Sequence, residues 1–219
     1  MQPGVALAVQ ARLKDAAGDA QSAATLYRDA LSKDPLLVRA AMRLHEIDLS
    51  AGRPFAIEPF LLETLTSHPQ VDAYWDLAGQ FALARGEAES AVGRFKRARD
   101  LEPENGLYLG HLASALAAAG RPEEARSALE WSDRFPPSQA DAWMAIGAAR
   151  DRLGDVDRAV AAFAAAKKAG LSGPGADIGT ALALARAGRS QEARSVLAEA
   201  SARFPDSAAV RELAARIGG

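Results

Sequence analysis

The chain has 219 residues, 49% hydrophobic and 25% charged, a globular composition in which aromatics reach only 6% and alanine dominates. Its 26 Lys and Arg against 28 Asp and Glu give a formal charge of -2, so no basic excess draws in phosphates, and nucleic acid is not an expected partner. The absence of cysteine removes disulfides, thiolate chemistry and cysteine-ligated metals.

In chain order, the opening MQPGVALAVQARLK has an apolar stretch, but no basic residue precedes it, and Arg12 and Lys14 follow quickly. It does not read as a signal peptide. The longest mid-chain run without Asp, Glu, Lys or Arg, Gly106 to Gly120, is shorter than the roughly 20 residues a membrane-spanning helix needs. The expectation is a soluble chain without membrane insertion. The cytoplasm is favoured, with the periplasm fitting a processed or trimmed chain.

The first predicted helix pair, 4–37, turns at Gly18, and glycine returns at Gly52, Gly86, Gly120, Gly154 and Gly188, each 34 residues after the last. Self-similarity of that length marks an array of stacked units, here 4–37, 38–71, 72–105, 106–139, 140–173 and 174–207. Five residues after each glycine stand Ala23, Ile57, Ala91, Ala125, Ala159 and Ala193, and twelve after stand Ala30, Thr64, Ala98, Ser132, Ala166 and Ala200. Seven residues is two helical turns, so both columns lie on one face, where small side chains let backbones approach. Between them Tyr27, Leu61, Phe95, Leu129, Phe163 and Leu197 fill the remaining space. Pro35, Pro69, Pro103, Pro137 and Pro205 close their units, with Leu171 in the fifth, because proline cannot continue a helix. Pro54 and Pro122 fit the first turn of a second helix, where a missing N–H costs little.

The second unit departs most. Ile57 and Thr64 replace both small residues, His45 stands where the third and fifth units have Gly79 and Gly147, and Pro59 falls near the start of the second helix. That helix is predicted to start late or bend. The first unit has Leu7 and Ala11, and the sixth Asp177 and Ala181, where Trp75 and Gly79 or Trp143 and Gly147 stand in the third and fifth. Residues 208–217 read as a capping helix over the last pair.

These columns resemble the tetratricopeptide repeat signature over residues 4–207, most closely through Trp75, Gly79, Gly86, Ala91, Phe95, Ala98 and Pro103 and through Trp143, Gly147, Gly154, Ala159, Phe163 and Ala166. The resemblance implies an all-α fold, a single domain over 1–219 built as an α-solenoid, a right-handed superhelix of antiparallel helix pairs. It also implies a concave wall made by the first helix of each pair. The usual concave positions fall on Ala8 and Arg12, Met42 and Glu46, Asp76 and Gln80, Gly110 and Ser114, Met144 and Ala148, and Ile178 and Leu182, with Leu49 and Leu83 a turn further along. The candidate partner-binding groove is therefore Met42, Glu46, Leu49, Asp76, Gln80, Leu83, Ser114 and Met144, a mixed wall in which Leu and Met supply adaptable contact. Chaperone-binding members of the family clamp a terminal carboxylate with lysine and asparagine. Here Arg12, Glu46, Gln80, Ser114, Ala148 and Leu182 occupy the clamp position, and the chain's one asparagine, Asn105, lies in a predicted turn.

No catalytic, cofactor or metal site is expected. His45-Glu46 opens like a zinc-protease helix, but Leu49 stands where the second histidine belongs. His45, His68 and His111 occupy different repeat positions. The glycine-rich Gly170 to Gly175 stretch lacks the Lys-Ser/Thr ending of a phosphate loop and reads as a junction between units five and six. Glu102 and Glu104, or Glu123 and Glu124, are too close in sequence to share a helix face. Trp131 lies off the packing stripe, and two readings stay open: a binding hot spot, or packing on Phe135, Pro136 and Pro137.

The leading function is a non-enzymatic adaptor or scaffold that binds a protein or peptide partner, resembling bacterial arrays that serve pilus, secretion, polysaccharide-export and envelope assemblies. Two alternatives stand beside it. The array is the recognition arm of a larger enzyme, as in glycosyltransferases and sulfotransferases that carry such repeats, or it is a self-assembling homo-oligomer.

Overall fold

The computed structural model describes residues 2–218 and is helical throughout, with no strand among the described residues. Its helices are α1 (Pro3–Ala16), α2 (Ala20–Lys33), α3 (Val38–Ser50), α4 (Glu58–Ser67), α5 (Asp72–Ala84), α6 (Ala88–Leu101) and α7 (Gly106–Ala118). There follow α8 (Pro122–Arg134), α9 (Ala140–Arg152), α10 (Val156–Lys168), α11 (Gly175–Arg186), α12 (Ser190–Arg203) and α13 (Ala208–Gly218). The sequence reads as one uninterrupted array, whereas the packing separates into two compact units, Met1–Phe81 and Ala82–Gly219, divided within α5.

The turns come from the phased glycines. Gly18, Gly52, Gly86, Gly120, Gly154 and Gly188 all take φ between 73° and 80°, a left-handed conformation that an L side chain resists. The residue after each glycine donates its N–H back to a carbonyl five residues earlier, as in Asp19 to Lys14 at 3.0 Å and Arg121 to Leu116 at 2.9 Å. This closing bond satisfies a carbonyl the helix end would otherwise leave open. The α10–α11 link uses the same device at Gly170 (φ 95°) and adds a second left-handed glycine at Gly173 (φ 86°). The glycine-rich stretch is a helix–helix junction, as its composition implied.

The small-residue columns are the core. Ala23, Ala91, Ala125, Ala159 and Ala193 are wholly buried, as are Ala30, Ala98, Ala166 and Ala200, while Tyr27, Leu61, Phe95, Leu129, Phe163 and Leu197 fill the space between them. In the second unit of the structure, a side chain at Gly147 would put its Cβ 2.6 Å from the Phe163 ring, and one at Gly179 would come within 2.8 Å of the same ring. Phe163 of α10 is therefore received by glycines of α9 and α11. A Cβ at Gly110 would lie 2.7 Å from that of Ala145, so α7 and α9 touch nearly backbone to backbone. At the tryptophan position of the sixth repeat, buried Asp177 accepts from Lys167 Nζ at 2.8 Å and pairs with Arg203 at 3.0 Å, joining α10, α11 and α12 by charge instead of an indole.

The irregular pair behaves as its sequence implied, with one correction. Where α2, α6, α8, α10 and α12 begin two residues after their glycine, α4 begins at Glu58, six after Gly52, and has 10 residues. Pro122 opens α8 as expected, but Pro54 falls in the turn before α4, and Pro59 takes the permitted place in its first turn. The capping helix forms as α13, burying Val210 and Leu213. No helix among the described residues is long and apolar enough to cross a membrane.

Candidate functional site

In Ala82–Gly219, helical spacing places Met144 and Ala148 of α9 and Ile178 and Leu182 of α11 along one cleft of about 600 Å³. Its base includes the Phe163 ring with Gly175 and Gly179, so the cleft exists partly because two positions carry no side chain. One turn beyond each apolar pair stand Arg152 and Arg186, and Arg186 reaches across to pair with Asp151. The result is an apolar trough with a charged rim, suited to holding an apolar side chain while orienting a polar backbone or charged neighbour. Leu83 is half-buried against the core of the same unit. Ser114 is buried, because it lies one turn on from Gly110, in the stretch of α7 brought close to α9.

In Met1–Phe81, Glu46 is exposed, Leu49 is 54% exposed and Met42 is half-buried against the core. Asp76 is buried and accepts from Gln80 Nε2 at 2.8 Å, while Gln80 itself is exposed. Asp76 and Ser114 thus offer a ligand little surface, and Glu46, Leu49 and Gln80 offer more. Sequence reasoning missed Arg43, which binds Asp15 (2.5 and 2.8 Å) and Glu46 (2.5 Å) and borders a cleft of about 480 Å³ with Val9, Arg12 and Leu13. The hydrogen bonds from Arg43 hold the Asp15 carboxyl below its usual range. The signal was available: Asp15 and Ala16 of α1 lie three and four residues after Arg12, one turn on, so they flank the face that Arg12 occupies.

The histidines are dispersed. His45 lies edge-on to Phe81, His68 ends α4 beside Ser67 Oγ at 2.9 Å, and His111 packs near Phe95. Asn105 caps α7, accepting from the Leu107 N–H at 3.1 Å, a structural use of the only asparagine.

Three models of the tetratricopeptide repeat match the chain at residues 82–149, 131–174 and 177–207, together more than half of it. The chain belongs to the tetratricopeptide repeat family. Among curated relatives, it is 32% identical over 85 residues to a heat-shock protein cognate co-chaperone, sgt12, of Aspergillus fumigatus, covering 39% of this chain and 25% of that one. It is also 32% identical over 100 residues to the β-barrel assembly-enhancing protease of Escherichia coli K12, covering 46% of this chain and 20% of the protease. The matches thus span a quarter or less of these relatives. Among solved structures, PilW, a type IV pilus biogenesis factor, superposes with a TM-score of 0.67 over 97% of this chain and 99% of its own, at 17% identity. That likeness places the tetratricopeptide fold and nothing finer.

Proposed function

We propose that this tetratricopeptide protein is a non-enzymatic adaptor that binds a partner peptide or helix along the first helices of its repeats. The observation that carries the reading is the α9–α11 cleft: Met144, Ala148, Ile178 and Leu182, positions that face the groove in this family, line one apolar trough. Met42, Glu46, Leu49, Gln80 and Leu83 are the corresponding positions earlier in the chain, while Asp76 and Ser114 are buried and offer a ligand little surface. Met144, Ile178 and Leu182 are half-buried and pack on the core of their unit, and the apolar surface they still leave at the trough is what a ligand would cover. The sgt12 relative is named a co-chaperone, but the asparagine of the family's carboxylate clamp has no counterpart here, so an acidic chaperone tail is not the expected ligand. The partial match to a protease keeps a second reading in view, in which such an array serves as the recognition arm of a larger enzyme.

The test pairs thermal melts with capture of the native partner by the parent, Leu182→Asp, Met144→Asp and an α12 surface control, Glu199→Arg. Both trough variants are expected to melt below the parent, because Met144 and Leu182 also touch the core, but to lose capture at temperatures where they remain folded, while the control keeps both. Folded trough variants that still capture the partner would overturn the proposal.

A further inference from the structure

A further cleft, of about 450 Å³, opens within the compact unit Met1–Phe81, where α1 meets the chain that leads into α3. Helix α1 contributes Val5 and Val9, the entry to α3 contributes Leu36, Leu37 and Val38, and Tyr27 is buried beneath them. Leu37 and Val38 are half-buried against the core, but Val9 and Leu36 are each 43% exposed, so the cleft presents apolar surface to water. Arg12 of α1 and Arg39 of α3 also line it, both exposed, and no acidic residue does.

The repeat shows that the fold does not require Leu36. Eighteen residues after the turn glycine, where Leu36 stands, the other repeats carry Gln70, Glu104, Ser138, Ser172 and Asp206, all polar and exposed. The backbone at Leu36 is fixed, because the Asp34 carboxylate accepts its N–H at 3.0 Å. Exposed apolar side chains elsewhere have each other: the Trp131 and Phe135 rings lie 4.4 Å apart, whereas Val9 and Leu36 share a cleft with two cations. Those cations are also singular. Met1–Phe81 holds five arginines, of which Arg28 and Arg53 are bound by Asp48 and Arg43 by Asp15 and Glu46. Arg12 and Arg39 are the remaining two, neither with an ion pair or side-chain hydrogen bond among the described residues, and both belong to this cleft. An apolar side chain can cover Val9 and Leu36 while carboxylates beside it take up the two guanidinium groups. A fatty acid brings one charge to two cations and needs an enclosed apolar length, which a cleft open at Val9 and Leu36 does not offer. The asparagine of a terminal-carboxylate clamp is absent, so the complementary charges are those of Asp and Glu side chains within a segment.

We infer that this cleft takes an internal acidic segment of a partner protein, with one bulky apolar side chain covering Val9 and Leu36 and the Asp or Glu residues on either side of it pairing with Arg12 and Arg39. The inference rests on the adaptor reading and names the ligand chemistry at the start of the array. The cleft shares no residue with the α9–α11 trough, and the two are expected to fail independently under mutation.

The probe is a phage-displayed peptide library, each peptide followed by a fixed linker so that no free carboxyl terminus is offered, depleted on Leu36→Ser and then selected on the full chain. Selected peptides are made with an acetylated N-terminus and an amidated C-terminus and measured by fluorescence anisotropy. Enriched peptides are expected to carry a bulky apolar residue with Asp or Glu close on both sides. Leu36→Ser, which installs the residue that two other repeats carry there, and the double variant Arg12→Glu, Arg39→Glu should each weaken them by about ten-fold or more, with melting temperatures near the parent's. The double variant should in turn prefer peptides whose acidic residues are changed to Lys, and Leu182→Asp, measured where it remains folded, should bind like the parent. Peptides that are basic or unpatterned, equal binding by Leu36→Ser or by the double variant, or a failure to enrich any peptide would overturn the inference. Binding of oleate that is lost in both variants, with no acidic peptide competing for it, would do so as well, by assigning the cleft to an anionic lipid. Loss in Leu182→Asp without loss in Leu36→Ser would remove this cleft while leaving the trough in place.

Discussion

In the fifth repeat Gly147 lets the Phe163 ring lie against the α9 backbone, and Ala159 brings α10 close beside it. The second repeat carries His45 and Ile57 at those two places and Leu61 where Phe163 would be. Volume removed from one column and added to another is not enough, because a branched side chain at the closest approach of two helices cannot be offset further along them. The second repeat meets the conflict in its backbone: α4 gives up its first turn and begins at Glu58. Phe55, released from helix, packs edge-on against Phe81 at 5.6 Å, and Phe81 also meets the His45 ring at 5.1 Å. An aromatic cluster forms beside the unwound first turn, while Leu61 and Leu65 of α4 still share a core with Leu44 and Ile47 of α3. The cluster's cost is visible at His45 Nδ1, which is buried with no hydrogen-bond partner among the described residues. The comparison shows that small residues in this fold set where the second helix can begin, as well as how closely it packs.

Moving the second repeat's choices into the fifth is the strongest way to break that comparison. Gly147→His would force a Cβ and a ring into space held by Phe163, with no unwound turn to receive them. The expected loss is about 3 kcal/mol, the upper end of the usual cost of overpacking. For a chain of this size that lowers the melting midpoint by roughly 6–12 °C. A midpoint unchanged from the parent would mean that α9 and α10 can separate freely, and the account of α4 would lose its basis. Ala159→Ile imports the milder half of the same conflict into a wholly buried site. It should cost about 1–2 kcal/mol, and circular dichroism should show the helix content falling by less than a turn.

Much of this contrast was legible in the residues. The glycine phase placed all six turns, and the joint appearance of His45, Ile57, Thr64 and Pro59 announced a late second helix. Pro54 misled because its spacing matched that of Pro122, and spacing alone does not reveal that the chain beyond it is still unwound. The site was less legible. Concave positions carried over from the family fall together at Met144, Ala148, Ile178 and Leu182, yet the same rule gave Asp76 and Ser114, which are buried. Burial of that kind depends on how closely adjacent first helices approach, and a single glycine such as Gly110 changes it. The division at Phe81 likewise depends on summed packing that no motif encodes.

The smallest effect concerns His45 itself and sharpens the comparison by isolating its titration from its bulk. Burial lowers the His45 pKa, and the nearby Glu46 and Asp48 carboxylates oppose that shift without cancelling it. In the folded protein the ring therefore stays neutral at a pH where the unfolded chain has already bound a proton. A depressed histidine contributes stability that is full above its unfolded value, about 6.5, and is lost as the pH falls through the window down to the folded value. One proton limits the slope to about 1.4 kcal/mol per pH unit, and the partial exposure of the ring keeps it below that limit. His45→Phe keeps a flat ring against Phe81 but cannot titrate. Its constant packing cost cancels when each protein is compared with itself at pH 7.5 and pH 5.5. The parent's midpoint is expected to fall more than that of the variant over this interval, because every other titrating group is common to both. Equal falls would show that the imidazole gains a proton in place, and the orphaned nitrogen would then carry no cost that the fifth repeat, with its glycine, avoids.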